Sequence, residues 1–208
     1  MDVKPFESAK PDRASLESLA YSQDGYFTAR QAADLGFSSQ LLAHHVGTGR
    51  FERVRRGLYR LSPYPSSPHD AIRAQWLALG PGRAVVSHES ALELLGLADV
   101  IPSDVHLIVP RRHRGFRPPE GVVLHTTVAP LPPSDVVQRQ GFLVTAPARS
   151  IVDAAEWGTA PEQIEASVHQ ALDRGLTTTS ELRAAMAGRG PRVKRMIEGA
   201  IERQAAFA

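Results

Sequence analysis

The sequence predicts an α+β protein in which an N-terminal winged helix-turn-helix precedes a C-terminal α+β domain with a small sheet and a helical C-terminal end. Two observations lead to this prediction. Between residues 28 and 61, two short helical patterns separated by Gly36 and Phe37 run into an arginine-rich hairpin. From residue 84 onward, several strand patterns are followed by a run of helical patterns, an order typical of α+β domains.

The composition is that of a globular protein with an apolar core. The 208 residues are 42% apolar and 22% charged, and the formal net charge is +2. Cysteine is absent, which excludes disulfides and thiolate zinc sites. No apolar run approaches the roughly 20 residues that span a bilayer, and the N-terminus does not resemble a secretion signal. We therefore expect a cytoplasmic protein whose residues 1–14 form a disordered or loosely attached tail.

Residues 15–62 predict a compact DNA-binding domain. A first helix is expected from residue 15, and Thr28 with Gln31 forms a capping-box pattern at the start of the second helix. Gly36 is expected to end that helix in a left-handed conformation. Ser38 or Ser39 then caps a third helix that continues to about residue 47. This third helix is the predicted recognition helix.

The two faces of the recognition helix differ in character. Its inward face is predicted to carry Leu42, His45, Val46 and Gly49 at positions i, i+3, i+4 and i+7. The opposite face, which would enter the major groove of duplex DNA, is predicted to carry Ser39, Gln40, Ala43, His44 and Gly47.

The predicted wing is a hairpin with strands over residues 50–54 and 58–61 and a turn through Arg55-Arg56-Gly57. We expect Phe51, Val54 and Leu58 to pack on the helices and the wing arginines to meet phosphates. Six arginines against two acids give residues 28–61 a charge of +4. The predicted DNA-contacting residues are Thr28, Arg30, Ser38, Ser39, Gln40, Ala43, His44, Arg50, Arg53, Arg55, Arg56 and Arg60. A small helical domain with a solvated basic hairpin is the alternative interpretation.

Residues 63–68 are rich in proline and serine and predict a linker, so that residues 69–208 would form the second domain. Its first helix is expected over residues 69–79. Ser87 is expected to cap the next helix, which Gly96 closes, and Thr159 and Thr178 are expected to begin capping boxes. Strands are predicted near residues 84–86, 105–109, 122–127 and 141–145, and further helices over about 147–156, 161–174, 180–187 and 191–204.

Histidine and serine patterns give little indication of chemistry. His44 and His45 are predicted on opposite sides of one helix, and His106 and His125 lie on separate strands with no regularly spaced carboxylate. We therefore expect structural or surface histidines and no metal site. Ser87-His88-Glu89 contains the residue types of a hydrolase triad, but neighbours on one helical turn are not expected to face each other. No catalytic residue and no cofactor are predicted.

Three charged or glycine-rich patterns have structural interpretations. Arg149 and Asp153 are spaced as an i, i+4 ion pair on a helix. The glycines at 80–82 and 188–190 indicate turns and not a phosphate-binding loop. A second basic patch at Arg111, Arg112, Arg114 and Arg117 either extends the nucleic-acid surface, meets an acidic partner protein, or is a solvated loop.

The chain resembles the AbiEi-type antitoxins and transcriptional regulators of type IV toxin–antitoxin systems. The resemblance lies in residues 25–28 and 55–60, in the segment Val86–Leu97 with its Ser-His-Glu-Ser-Ala run, in the strand Val105–Pro110 and in Val144–Ala154. It covers about residues 15 to 190. It implies a winged helix, an AbiEi C-terminal domain and an antitoxin that represses its own operon by binding inverted repeats.

The resemblance also implies partners and site residues. The DNA-contacting role falls on Ser39, Gln40, Ala43 and His44 and on the wing arginines, and the second partner would be a nucleotidyltransferase-like toxin. Relatives usually carry arginines where this chain has Ala43, His44 and Gly47, which favours shape-based readout. Some longer relatives continue into a nuclease-like domain where this sequence stops, so no catalysis is expected. The protein is expected to be a monomer or weak dimer that binds double-stranded DNA; the alternative is a toxin-neutralising interaction module with residual DNA binding.

Overall fold

A computed structural model describes residues 10–80, 82–111 and 118–207. The chain divides into two compact units, Met1–Leu79 and Gly80–Ala208. Residues 1–9, which make up most of the predicted tail, lie outside the described part of the chain. Within that part, no helix is both long and apolar enough to cross a membrane.

The first unit is a winged helix with an additional C-terminal helix. Its elements are α1 (Arg13–Tyr21), β1 (Tyr26–Thr28), α2 (Ala29–Asp34), α3 (Ser39–Gly47), β2 (Phe51–Arg55), β3 (Leu58–Leu61) and α4 (Asp70–Leu79). The three strands form an antiparallel sheet in the order β1-β3-β2. Its core is formed by Leu16, Ala20, Phe27, Ala32, Phe37, Leu42 and Phe51.

Local hydrogen bonds explain where the helices begin. Thr28 accepts from the Gln31 backbone amide, and the Gln31 side chain accepts from Thr28, so the predicted capping box is confirmed. The Ser38 hydroxyl accepts from the backbone amide of Leu41 and begins α3. Gly36 has a φ of +83° between the two helices, as expected. Helix α1 begins at Arg13, two residues before the predicted start, because Asp12 caps it.

Two residues of the winged helix that were predicted to point inward are exposed, so these two predictions were wrong. Val54 is 38% exposed, because a register shift between Arg53 and Arg55 interrupts the alternation of β2 against β3. Gly49 is exposed because it lies beyond the end of α3, at a φ of +72°. The buried wing positions are Phe51 and Leu58, as predicted.

Helix α4 packs with the first unit, although the sequence analysis assigned it to the second. The buried Arg73 side chain of α4 forms an ion pair with Asp24, with both Nε and Nη2 2.9 Å from Oδ2. Arg55 of β2 donates to the carbonyl of Ala74 at 2.6 Å. The compact units therefore divide after Leu79 and not at the proline-rich segment 63–68.

The second unit is a mixed sheet flanked by helices. Its elements are β4 (Val85–Val86), α5 (His88–Leu95), β5 (Val105–Pro110), β6 (Val122–Thr127), β7 (Val136–Arg139), β8 (Phe142–Thr145), α6 (Pro147–Trp157), α7 (Pro161–Asp173), α8 (Thr179–Ala185) and α9 (Pro191–Phe207). The strand order is β6-β5-β4-β8-β7, with β5 parallel to β6 and β4 parallel to β8. The α+β class is as predicted, and β7 is a strand that the sequence analysis missed.

The predicted helix caps of the second unit have mixed outcomes. Thr178 forms the expected capping box with Glu181, and Gly96 ends α5 in the left-handed region. The prediction for Thr159 was wrong, whereas Ser87 is the N-cap residue of α5 as predicted but forms no side-chain capping bond. The Ser87 hydroxyl makes no cap and contacts the ring of His88 at 2.8 Å, while the Thr159 hydroxyl donates to Glu89 at 2.7 Å.

Candidate nucleic-acid interface

The solvent-facing side of α3 is the surface that the sequence predicted for the major groove. Leu42 is buried, which fixes the rotation of α3 against the core. The expected outward residues Ser39, Gln40, Ala43, His44 and Gly47 are all exposed. We call this set the α3 face. It carries a hydroxyl, an amide, an imidazole and a methyl group, all of which can contact base edges.

Four arginines of the winged helix have side chains that extend into solvent. Arg30, Arg50, Arg53 and Arg56 are exposed, and none forms an ion pair or a side-chain hydrogen bond with another described residue. Ala29 donates its backbone N–H to the carbonyl of Gly57 at 2.8 Å, which ties the wing turn to the start of α2. Arg30 and Arg56 adjoin the two residues of this bond. We call the four side chains the free arginines.

Arg55 is engaged within the protein and does not extend into solvent. Its Nη1 donates to Gln75 Oε1 at 2.7 Å, and its Nη2 donates to the Ala74 carbonyl at 2.6 Å. Burial lowers the pKa of the guanidinium from its ordinary value. The expectation that Arg55 contacts phosphate is therefore not supported, since both terminal nitrogens donate to α4 and Nε is buried.

Arg60 is likewise held by neighbouring groups. Its Nη2 lies 2.7 Å from the Pro65 carbonyl and 3.1 Å from a carboxylate oxygen of Asp70. The guanidinium carbon lies 4.8 Å from the ring centre of Tyr26, a cation–π distance. Only 11% of the side chain is exposed. Arg60 therefore stabilises the junction of β3 and α4, and its guanidinium is poorly placed to bind a phosphate.

The two capping residues in the predicted DNA-contacting set differ in what they can still donate. The Thr28 hydroxyl donates to Gln31 Oε1 at 3.0 Å, so its proton is not available for a phosphate oxygen. The Ser38 hydroxyl acts as an acceptor in its cap, which leaves its proton for another acceptor. Of the two, Ser38 retains the ability to bind a phosphate oxygen.

His44 and His45 occupy different environments, as predicted. His44 is exposed on the α3 face, whereas His45 is half-buried with its ring centre 4.9 Å from that of Phe51. Burial, assisted by the charge of Arg50, lowers the pKa of His45. His45 is therefore a neutral, half-buried residue beside the core at physiological pH.

The second predicted basic patch is described only at one end. Arg111 is exposed. Arg112, Arg114 and Arg117 lie outside the described residues, and their role remains a prediction.

Comparisons with known proteins agree with the two-unit architecture. Residues 15–62 match a family model described as a transcriptional regulator and AbiEi antitoxin. Residues 84–198, more than half of the chain, match a model described as the AbiEi antitoxin C-terminal domain.

The chain belongs to the AbiEi antitoxin family.

Neither description of this antitoxin and transcriptional-regulator family is that of an enzyme. Among solved structures, the RV2827C protein from Mycobacterium tuberculosis has a similar fold, with a TM-score of 0.60 and 14% identity over 91% of this chain and 75% of that one. No curated protein matches the sequence.

The AbiEi C-terminal domain of this chain contains a histidine cluster that the sequence analysis missed. His88 is the first residue of α5, His106 lies on β5 and His125 lies on β6, and one nitrogen from each ring lies within 4.8 Å of the others. The rings of His88 and His125 are stacked, with centres 3.5 Å apart. The indole of Trp157 meets all three rings edge-on.

The environment keeps these histidines neutral. Burial, with added repulsion from His125 and His106, lowers the pKa of His88 to about 2. Burial and the neighbouring His106 lower the pKa of His125 to about 4, and burial also lowers the pKa of His106. Three unprotonated imidazoles at neutral pH offer three nitrogen lone pairs.

The same geometry argues against a hydrolase triad at Ser87-His88-Glu89. Contrary to expectation, Ser87 and His88 do face each other, because Ser87 is extended and His88 has a φ of +52°. The carboxylate of Glu89, however, accepts from Thr159. With a pKa of about 2, His88 is too weak a base to activate a hydroxyl.

The predicted Arg149–Asp153 pair belongs to a larger ionic network. Asp153 Oδ2 accepts from Arg149 Nε at 2.7 Å, and Oδ1 accepts from Arg189 Nη2 at 2.6 Å. Arg149 also donates to Asp135 at 2.9 Å. These bonds connect α6 to the segments on either side of it, which is a structural role.

Proposed function

We propose that this AbiEi-family chain is a sequence-specific DNA-binding repressor that acts as the autoregulating antitoxin of a type IV toxin–antitoxin module. The observation that supports this proposal is the α3 face lying exposed in a winged helix that also carries four free arginines. A recognition helix in the major groove and basic side chains on the backbone are the two parts of helix-turn-helix binding. Duplex DNA with an inverted repeat is the proposed operator, bound by a monomer or weak dimer.

The two surfaces are proposed to divide affinity and specificity. The free arginines neutralise phosphates, which supplies most of the affinity and makes it dependent on salt. On the α3 face, the Gln40 amide suits adenine, and the Ala43 methyl suits the methyl group of thymine. Because no arginine lies on this face, guanine readout is proposed to be weak and DNA shape to contribute more.

The test is fluorescence anisotropy with a duplex from the chain's own upstream region and a scrambled duplex, at several salt concentrations. If all four free arginines contact phosphate, the logarithm of affinity should fall with the logarithm of salt with a slope of about −3.6 per bound chain, from roughly 0.9 per contact. Affinity should then fall about 150-fold between 50 and 200 mM salt. Absence of binding at the lowest salt would contradict the proposal.

Variants separate the two surfaces. Arg53→Ala and Arg56→Ala should each reduce the slope by about 0.9 on both duplexes. Gln40→Ala should instead reduce the preference for the upstream duplex and leave the slope unchanged. Arg139→Ala is the matched control, because Arg139 is an exposed arginine on β7 of the other unit. Equal effects of Arg139→Ala and Arg56→Ala would indicate general electrostatics and not a site.

A second function, neutralisation of a nucleotidyltransferase-like toxin by the C-terminal unit, is supported by its exposed apolar side chains. Ile101 is 94% exposed and Val128 is 84% exposed, on loops after α5 and after β6. Contiguous exposed apolar patches mark protein-binding surfaces, and we propose that these two side chains belong to such a patch. The test is purified binding to the product of the adjacent gene. Ile101→Ser or Val128→Ser should weaken that binding without changing DNA affinity; if neither does, these loops are not the interface.

A further inference from the structure

We propose that His88, His106 and His125 form a binding site for a divalent transition metal ion, with Zn²⁺ as the best-suited ion. The site is independent of the proposed DNA binding, since all its residues lie in the C-terminal unit. Its three ligands come from three elements that the fold brings together: the start of α5 and the neighbouring strands β5 and β6.

The register of the sheet places two of the ligands on one face. In the parallel β5–β6 pair, His125 is opposite Ile108, two residues along from His106. Because side chains alternate along a strand, His106 and His125 project from the same side of the sheet. Their rings are 5.3 Å apart, and His106 Nδ1 lies 3.1 Å from His125 Nε2.

That separation suits tetrahedral coordination. Zn–N bonds of about 2.0–2.1 Å at tetrahedral angles place two ligand nitrogens about 3.3 Å apart. The His106–His125 pair is already near this value. The three ligand nitrogens lie within 4.8 Å of one another, and the His88 ring, which is stacked on that of His125, must rotate about its side-chain bonds to direct its lone pair at the same point.

The backbone at His88 positions the third ligand. His88 has a φ of +52°, a left-handed conformation that non-glycine residues seldom adopt. Its Nδ1 lies 2.8 Å from Ser87 Oγ, which leaves Nε2 for coordination. With Nε2 on the metal, Nδ1 carries the proton and donates it to Ser87, the outer-shell contact typical of metal-bound histidine.

The donor set selects the class of metal. Three neutral imidazoles without a carboxylate suit Zn²⁺, Co²⁺, Ni²⁺ or Cu²⁺, whereas Mg²⁺ and Ca²⁺ prefer oxygen ligands. The proton shared between His106 Nδ1 and His125 Nε2 moves to the outer nitrogen of its ring, and the metal takes its place. A fourth ligand would be water, since His125 is only partly buried.

The experiment uses the full chain without an affinity tag, stripped with EDTA, dialysed and titrated with Co²⁺ and then Zn²⁺. We expect one Co²⁺ per chain with the intense visible absorption of tetrahedral Co²⁺, displaced by Zn²⁺, and a higher melting temperature with Zn²⁺. His125→Gln should weaken binding at least about 100-fold, and Ser87→Ala about 10-fold as an outer-shell change. His169→Gln is the matched control and should bind normally, because His169 hydrogen-bonds to the Ala200 carbonyl, away from the cluster.

Two results would overturn the site. One is a wild-type chain with no tetrahedral Co²⁺ spectrum and no effect of Zn²⁺ on melting. The other is a folded His125→Gln variant that binds Co²⁺ as tightly as the wild type. If circular dichroism shows that His125→Gln does not fold, a second variant, Trp76→Phe, is used to test the site. In this variant Trp157 is the remaining tryptophan, so the fluorescence reports the surroundings of the cluster. Bound Co²⁺ at the cluster must quench Trp157 emission, and unchanged emission at saturating Co²⁺ would overturn the proposal.

Discussion

Arg55 and Arg56 are neighbours in sequence, yet the structure predicts opposite consequences when each is replaced by alanine. Arg55→Ala removes the two hydrogen bonds that join β2 to α4, at 2.7 Å to Gln75 and 2.6 Å to the Ala74 carbonyl. Arg56→Ala removes an exposed side chain with no described partner. We therefore expect Arg55→Ala to lower the stability of the first unit and Arg56→Ala to lower DNA affinity.

The size of the stability effect follows from the two bonds. A hydrogen bond from a charged donor contributes about 1.5–3 kcal/mol, and Arg55 is half-buried, so the lower value applies to each. The free energy of unfolding should fall by about 3 kcal/mol, which at a typical urea dependence of about 1–3 kcal/mol per molar shifts the midpoint by about 1–3 M. Arg56→Ala should change the free energy by less than about 0.5 kcal/mol.

The assay uses one tryptophan per unit. Trp76 lies on α4 in the first unit and Trp157 on α6 in the second. In a Trp157→Phe background, Trp76 fluorescence during urea unfolding reports the first unit alone. DNA binding is measured in parallel, without urea, where Arg55→Ala should retain the wild-type salt slope and Arg56→Ala should lose about 0.9.

A reversed pattern would assign the two arginines the opposite roles. If Arg55→Ala unfolds at the wild-type urea concentration while its salt slope falls, the guanidinium binds phosphate and its bonds to α4 are incidental. If Arg56→Ala shifts the urea midpoint as far as Arg55→Ala does, the wing tip has structural contacts that its exposure does not indicate.

Three further predictions concern stability. Asp24→Asn should destabilise the first unit by about 1.5–3 kcal/mol in urea, because it replaces the carboxylate that accepts from the buried Arg73 guanidinium by a neutral amide; adding Arg73→Met should restore part of the loss, and strictly additive losses would exclude coupling. Gly25→Ala should cost more than Gly57→Ala, since both have positive φ but only a Cβ at Gly25 would approach the Tyr64 ring, at 2.5 Å; equal melting temperatures would contradict this. In EDTA-treated protein, the second unit should lose stability as pH falls below about 6.5, by about 1.4 kcal/mol per pH unit for each histidine that is protonated only when unfolded. His88 and His125, with pKa values of about 2 and about 4, should both contribute between pH 6.5 and 4, and His125→Gln should give a shallower dependence of Trp157-monitored unfolding on pH.

Local patterns were sufficient for the winged helix. The Thr28–Gln31 capping box, the turn at Gly36 and the side of α3 that faces solvent all depend on residues within four positions of each other, and all were predicted from sequence. Such interactions are determined by neighbouring residues, whatever the remainder of the chain does.

The engagement of the arginines could not be predicted in this way. Arg55 finds its acceptors 19 and 20 residues later, and Arg60 its carboxylate 10 residues later, on a helix that the sequence analysis had placed in the other domain. A count of basic residues treats all six arginines of the segment alike. Only packing distinguishes the free arginines from those that hold α4.

The histidine cluster was missed for a related reason. His88, His106 and His125 are separated by 18 and 19 residues and lie on three elements, so no spacing rule connects them. The parallel register of β5 and β6 and the left-handed residue at the start of α5 bring them together. The unpredicted edge strand β7 is another case, since four residues with two polar side chains give little periodic signal.

The packing of α4 has a practical consequence for isolating the DNA-binding unit. A fragment ending at residue 62, where the N-terminal family match stops, would contain Asp24, Arg55 and Arg60 but none of their partners on α4. In that fragment, three charged side chains would have to be hydrated by water or find new contacts. The wing would also lose the hydrogen bonds that join β2 to α4. A fragment ending at Leu79 retains every one of these bonds and is therefore the one that should behave like the intact protein.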